Sequence, residues 1–150
     1  MRKFKLVFLI FFTLLFISAC NSDSQDKTNS IHICPECSME LPLSNIHTAK
    51  IQIDEEIHYF DDPGCMILWS KKKEIDLKTI TVKIFSNDTN KYINANNAFY
   101  TINETTPMHY GFSAYENKRE NTIDFEEVKI RILRGEHMAN PKIRKQILGY

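Results

Sequence analysis

Residues 46–73 have the sequence IHTAKIQIDEEIHYFDDPGCMILWSKKK, and this stretch decides the predicted fold. The apolar residues in 46–53 are spaced as in a strand, the acidic pair that follows predicts a turn, and residues 57–60 predict a second strand. The sequence Asp-Asp-Pro-Gly at 61–64 predicts a helix start, because Asp is a good N-cap and Pro suits the first helical position. We expect this helix to run to about Lys73.

The elements outward from this stretch repeat its pattern. Thr79–Phe85 is rich in β-branched residues and predicts a strand that closes a first unit of strand, strand, helix and strand. Two strands, a helix and a final helix are then predicted at Phe99–Asn103, Gly111–Tyr115, Ile123–Leu133 and Pro141–Leu148. The sequence therefore predicts an α+β protein of two small related strand-strand-helix-strand units, at residues 32–88 and 89–150.

The N-terminus has the features of a bacterial lipoprotein signal. A basic start, an apolar run at 6–17 and small residues before Cys20 are typical of a signal peptide over residues 1–19. The run is shorter than the ~20 residues that a membrane span needs, although an uncleaved anchor helix is the alternative. Residues 17–20, Ile-Ser-Ala-Cys, resemble the lipobox, in which the cysteine is acylated with fatty acids such as palmitate. Both interpretations place the remainder outside the cytoplasm, and the polar residues Asn21 to Ser30 predict a flexible tether over residues 20–31.

Charge and motifs argue against two classes of function. Three of the 19 basic residues lie in the signal, which leaves 16 against 19 acidic residues and a formal charge of −3. No basic cluster is concentrated enough to indicate nucleic-acid binding. The chain has no glycine-rich phosphate loop, no nucleophile elbow and no His-Glu-x-x-His motif, and capping of the predicted helix explains Asp61 and Asp62, so we predict a protein that is not an enzyme.

Three cysteines remain beyond the lipid site, namely Cys34, Cys37 and Cys65. A compartment outside the cytoplasm favours disulfides, but the odd number leaves at least one thiol for another purpose. A Cys34–Cys37 disulfide and a zinc site of three cysteines and one histidine are both compatible with this count.

The densest group of metal donors lies in residues 32–39, HICPECSM, which hold two thiols, a thioether and an imidazole. Thiolates and thioethers are soft ligands that favour Cu(I) over hard cations. Because a thioether adds little to a zinc site, Met39 shifts the prediction towards Cu(I). The alternative is a disulfide, with Met39 as an ordinary packing residue.

Two further positions offer soft ligands. Cys65 lies in the first turn of the predicted helix, where exposed N–H groups and the helix dipole favour a thiolate, and the alternative is a small buried hydrophobe. Met108 and His109 lie in a loop before a predicted strand, where ligands often sit, although Met108 alone is typical of a core residue. His47 and His58 lie on predicted strands and are expected to face solvent rather than a metal, and His137 and Met138 are expected to be incidental.

Taken together, these residues resemble the NosL family, copper-binding lipoproteins that accompany nitrous oxide reductase. The resemblance covers roughly Ile33 to Leu133, with the motifs in the same order and spacing. They are Cys34-Pro-Glu-Cys37-Ser-Met39, Ala49-Lys-Ile51, Phe60-Asp61-Asp62-Pro-Gly64-Cys65, Pro107-Met108 with Gly111 and Ala114-Tyr115, and Ile123-Asp124-Phe125. The sequence departs from the family at Ser38, where many members have Gly, and at His109-Tyr110, which replace smaller residues.

The resemblance implies a fold similar to that of the organomercurial lyase and a protein lipid-anchored on the periplasmic side of a membrane. It implies Cu(I) binding by Cys34, Cys37, Met39 and Met108, and from their positions in the sequence we add Cys65 and His109 as further candidate ligands. It also implies delivery of copper to the cluster of nitrous oxide reductase, an enzyme of denitrification, alongside a dedicated ABC-type transporter. A thiol–disulfide or organomercurial-type activity of the same thiols is one alternative, and a structural lipoprotein is another.

Overall fold

The computed structural model describes residues 31–149. The predicted signal peptide, the lipid site at Cys20 and all but the last residue of the predicted tether lie outside the described residues. Within residues 31–149, no helix combines the length and the apolar character that crossing a membrane requires.

An antiparallel four-stranded sheet forms most of the first half. Its strands are β1 (Ala49–Ile53), β2 (Glu56–Phe60), β3 (Thr81–Ser86) and β4 (Lys91–Asn94). Their spatial order is β2-β1-β3-β4, so the predicted hairpin of β1 and β2 is confirmed and β3 pairs with the other edge of β1. The hairpin turn places Asp54 at φ 53°, in the left-handed region that Asp tolerates better than most residues.

Two details of this sheet differ from the prediction. β1 begins at Ala49, later than predicted, because Asn45 and His47 adopt φ angles of 56° and 66° that do not fit a strand. The sequence does not predict β4, since its four residues, KYIN, are too few and too polar to carry the strand pattern. This strand forms by pairing with the free edge of β3, where Phe85 lies opposite Tyr92.

Helix α1 (Pro63–Lys72) follows β2 directly, as predicted. The N-cap is Asp62, whose Oδ1 accepts a hydrogen bond from the Gly64 N–H at 2.8 Å. The beginning of the helix is buried, from Pro63 through Cys65 and beyond, and the exposed lysines at its C-terminal end interact well with the helix dipole. The chain therefore brings Cys65 into the protein interior.

The second half contains a smaller sheet and two helices, which confirms the α+β class. A 3₁₀ turn (Ala95–Asn97) leads into β5 (Phe99–Thr101), β6 (Ser113–Tyr115), α2 (Phe125–Arg134) and α3 (Pro141–Leu148). Helix α2 ends at Gly135, whose φ of 74° stops the helix. In residues 135–149 the chain then forms α3 and no strand, because Asn140 and Pro141 start a new helix. The second unit thus ends in a helix where the predicted repeat has a strand.

The core joins the four-stranded sheet to α1 and α2. Its large side chains include Phe60, Ile84 and Tyr100, all fully buried. Cys34 and Cys65 belong to the same buried cluster, so the sulfur atoms lie at an edge of the core rather than on a loop in solvent.

Candidate metal centre

The Cys34–Cys37 segment is a tight turn closed by its own backbone. The Ser38 N–H donates to the Cys34 carbonyl at 2.8 Å, and the Cys34 N–H donates to the Met39 carbonyl at 2.8 Å. Ser38 has φ 62°, a backbone conformation that favours glycine over residues with a side chain. An ion pair between Glu36 of the turn and Lys72 of α1 ties the turn to the helix.

The fold adds two residues to this turn. Cys65 comes from the first turn of α1, and Asp61 comes from the junction between β2 and that helix. The potential ligand atoms of Cys34, Cys37, Asp61 and Cys65 all lie within 4.8 Å of one another. Asp61 is also hydrogen-bonded to the Cys37 thiol, which lies 3.3 Å from its Oδ2. These four residues, the sulfur cluster, form a group that could hold a metal ion.

Hydrogen bonds and burial together set the ionisation of the three thiols. The Cys65 thiol donates to Cys34 and lowers the pKa of Cys34 to about 6, and the backbone N–H groups of Asp61 and Cys37 act in the same direction. The same bond, followed by burial, raises the pKa of Cys65. Burial raises the pKa of Cys37 to about 12. At neutral pH the cluster therefore holds one thiolate, at Cys34, and two thiols.

The orphaned oxygen of Asp61 indicates that the cluster suits a cation. Asp61 is 1% exposed, and its Oδ1 is buried without a hydrogen-bond partner among the described residues. A buried acceptor without a partner costs roughly 1–3 kcal/mol, more when it is charged. A cation bound by the thiols would lie within reach of this carboxylate and would offset that cost.

A loop from the second half of the chain borders the cluster. The Met108 N–H donates to Asp62 Oδ2 at 3.4 Å, and the Thr106 hydroxyl bonds to the same carboxyl group. Asp62 is fully buried, so it joins the start of α1 to the 106–110 loop from inside the protein. The backbone of Met108 thus lies beside Asp62, the neighbour of Asp61 in the chain, and on the same side of the molecule as the thiols.

We expect Asp62 to impose a pH dependence on stability. Burial raises the pKa of this carboxyl to about 7, against ~3.9 for an Asp in an unfolded chain. The folded protein then binds the proton more tightly than the unfolded chain, so the contribution of Asp62 is greatest below about pH 4 and is lost as pH rises through 7. Asp62→Asn removes this titration.

Urea unfolding of the metal-free protein at several pH values measures the effect. The free energy of unfolding of the wild type, minus that of Asp62→Asn, should decrease between about pH 4.5 and pH 8. A difference that stays constant over this range would contradict the assignment, since all other titrating groups are common to both proteins.

The ring of Tyr110 covers the helical side of the cluster. A Cβ on Gly64 would lie 2.2 Å from Cδ2 of this ring, so the ring packs where only glycine leaves room. Burial raises the pKa of Tyr110, and the nearby Cys65 and Asp62 raise it further. Behind the ring, His137 packs edge-on with ring centroids 4.9 Å apart. The half-exposed Cys37 therefore marks the open side of the cluster.

The structure brings together only some of the predicted ligands. Cys34, Cys37 and Cys65 meet, and all three are free thiols, so no Cys34–Cys37 disulfide is present. Met39 is 46% exposed although its backbone closes the cysteine turn, and Met108 is half-buried against the core. His109 is exposed at φ 57°. Among residues 31–149, no histidine belongs to the cluster, and the fourth group is a carboxylate.

The sequence interpretation misses Asp61. It assigns both acidic residues before α1 to capping, whereas Asp62 alone is the N-cap and Asp61 contacts Cys37. One helix cap needs only one acidic residue. The additional acidic residue directly after the buried end of a strand was therefore the signal in the sequence that Asp61 has another role. His47 and His58 are expected to face solvent rather than a metal, and neither belongs to the cluster. Both are half-buried, because His47 bonds through Nδ1 to Asn87 and Ser113, and His58 packs on Trp69.

Comparisons of the chain with protein families, with curated proteins and with solved structures found no match. The resemblance to the NosL family therefore stays a prediction that rests on the motifs themselves.

Proposed function

We propose that this protein is a Cu(I)-binding metallochaperone, lipid-anchored on the periplasmic side of a membrane. The observation that carries the proposal is the meeting of three free thiols from two separate parts of the chain, with ligand atoms within 4.8 Å. Three sulfur donors at one point suit a soft ion such as Cu(I). The motifs that resemble those of the NosL family support the same function, and we propose with it a fold similar to that of the organomercurial lyase.

Transfer of the ion requires an open side, and Cys37 provides it. Cys34, Cys65 and Asp61 are buried, whereas Cys37 is half-exposed. A sulfur donor of the receiving protein would approach Cys37 first and replace it in the shell of the ion, while the buried thiols still hold it. The resemblance indicates the receiver, which is nitrous oxide reductase or the ABC-type transporter that serves its maturation.

Zinc is the competing ion at this cluster. Three thiolates and a carboxylate are common zinc ligands, and the oxygen of Asp61 is a harder donor than Cu(I) prefers. A competition experiment decides between them. We expect the reduced protein to take up one equivalent of Cu(I) against a chromophoric Cu(I) chelator, to keep it in the presence of excess Zn²⁺, and to show Cu–S scattering by X-ray absorption. Displacement of the copper by equimolar Zn²⁺ would overturn the proposal.

Copper binding should release protons. Cys34 is already a thiolate at neutral pH, whereas Cys37 and Cys65 must lose a proton to become ligands. We expect release of about two protons per Cu(I) at pH 7.5 if both coordinate, since Met39 and Met108 thioethers carry none. Calorimetric titration in buffers of different ionisation enthalpy measures the number. Release of no protons would show that the ion uses Cys34 and thioethers instead of the sulfur cluster.

A thiol activity is the second candidate, of the disulfide or organomercurial type. It is favoured by the Cys34 thiol, whose pKa is lowered to about 6, and by the Asp61 carboxylate beside a second thiol. The two candidates differ in turnover. The metallochaperone binds its ion once per molecule, whereas the thiol activity predicts repeated consumption of a small disulfide or an organomercurial in the presence of a reducing agent.

A further inference from the structure

The C-terminal helices carry a basic surface that the copper site does not use. Residues 128–149 contain six basic residues and one acidic residue, while the exported chain as a whole is acidic. Two of the six are paired on α2, Lys129 with Glu126 and Arg131 with Glu127. Within residues 31–149, none of the other four takes part in an ion pair; they are Arg134, Lys142, Arg144 and Lys145.

Exposed apolar side chains accompany these charges. Leu133, Ile147 and Leu148 are among the exposed large hydrophobic residues of the described chain, at 51%, 41% and 47% exposure. No residue of α3 is buried, so the packing of the core does not explain this helix. Its start is tied to the end of α2, because the Asn140 side chain donates to the Gly135 carbonyl at 2.8 Å.

We propose that this C-terminal basic surface, defined by Arg134, Lys142, Arg144 and Lys145 with Leu133, Ile147 and Leu148, docks onto an anionic phospholipid bilayer. Amphipathic helices with basic and apolar faces lie in the interface of anionic membranes, and each basic residue adds attraction to the negative headgroups. The charge is complementary to that surface and opposite to the charge of the remaining exported chain.

The inference rests on the proposed lipid anchor but not on the copper site. Residues 21–31 span at most about 36–40 Å when extended. A domain of this size has a diameter of roughly 35 Å, so an acylated Cys20 would hold the domain within about one diameter of the bilayer. The anchor supplies proximity, and the C-terminal basic surface selects which face lies on the membrane.

The test uses the full acylated protein in nanodiscs of two compositions, one with phosphatidylglycerol and phosphatidylcholine and one with phosphatidylcholine alone. Hydrogen exchange by mass spectrometry follows the amides of α3. We expect exchange about tenfold slower on the anionic discs, lost in Lys142→Glu/Lys145→Glu, because each basic residue near an anionic surface is worth about fivefold in binding. Glu at position 142 suits the helix N-terminus, so the variant keeps α3.

The matched control is Lys83→Glu/Lys118→Glu, which makes the same charge change at two exposed lysines outside the C-terminal helices. It should keep the protection. Equal exchange of α3 on the two kinds of disc would overturn the proposal, and so would protection that the control variant also loses. Protection on both compositions that grows with protein density would assign the surface to a second copy of the chain. A protein mass without acyl groups would show that the lipid anchor is not formed. In that case, flotation of the full chain with vesicles of the same two compositions tests whether the C-terminal basic surface binds the anionic bilayer; equal flotation with both would overturn the proposal.

Discussion

Cys65→Ser should lower the affinity for Cu(I) by ~100-fold or more, whereas Met39→Leu should change it by less than about threefold. Loss of residues that only support a metal ligand costs 10–100-fold in affinity, so loss of a ligand should reach at least the upper end. The Cys65 sulfur is buried inside the cluster, and a serine hydroxyl is a hard, protonated donor. Met39 is not part of the sulfur cluster, and its side chain is 46% exposed, so its replacement leaves no cavity.

Competition with a Cu(I) chelator measures both affinities under reducing conditions. Serine keeps the size of the Cys65 side chain, and thermal unfolding of the metal-free variant controls for a loss of fold. If Met39→Leu and Cys65→Ser exchanged their effects, the ion would be bound by the cysteine turn and its thioether, as the sequence alone suggests. The comparison therefore distinguishes the local ligand set from the one that folding assembles.

The sequence indicates the kind of donor but not which donors meet. Cys34, Cys37 and Met39 are close in the chain, so proximity along the sequence suggests that all three bind one ion. In the structure, the turn closes through the Met39 carbonyl and leaves the thioether at the surface, while β2 and the start of α1 bring Cys65 to the thiols. Such an approach depends on the pairing of β1 with β2, which motif spacing does not describe.

The fold shows the same division between local and long-range information. Elements with a strong local signal are predicted correctly, such as α1 with its Asp62 cap and α3 with its Pro141 start. β4 depends on pairing with β3, and the role of Asp61 depends on which of two adjacent acidic residues caps the helix. Neither is decided within a short window of sequence.

Gly64→Ala should destabilise the protein by roughly 3 kcal/mol, the upper end of the usual cost of overpacking. An added Cβ would lie 2.2, 2.4 and 2.7 Å from three carbons of the Tyr110 ring, which is buried and cannot swing into solvent without exposing its own surface. For a domain of this size, the melting temperature should fall by roughly 10 °C. Since Gly64 precedes Cys65, the displaced helix start should also weaken Cu(I) binding.

The stability cost of Gly64→Ala in variants of Tyr110 shows whether the clash with the Tyr110 ring causes the destabilisation. In Tyr110→Phe the ring remains, so Gly64→Ala should cost nearly as much as in the wild type. In Tyr110→Ala the space is empty, and Gly64→Ala should cost little or even stabilise, because alanine is the better helix former by ~1 kcal/mol. An equal cost in both backgrounds would refute the clash and place the strain in the backbone of α1. The expected pattern would establish that the ring of Tyr110, from the second half of the chain, packs directly on the start of α1, at the residue before Cys65.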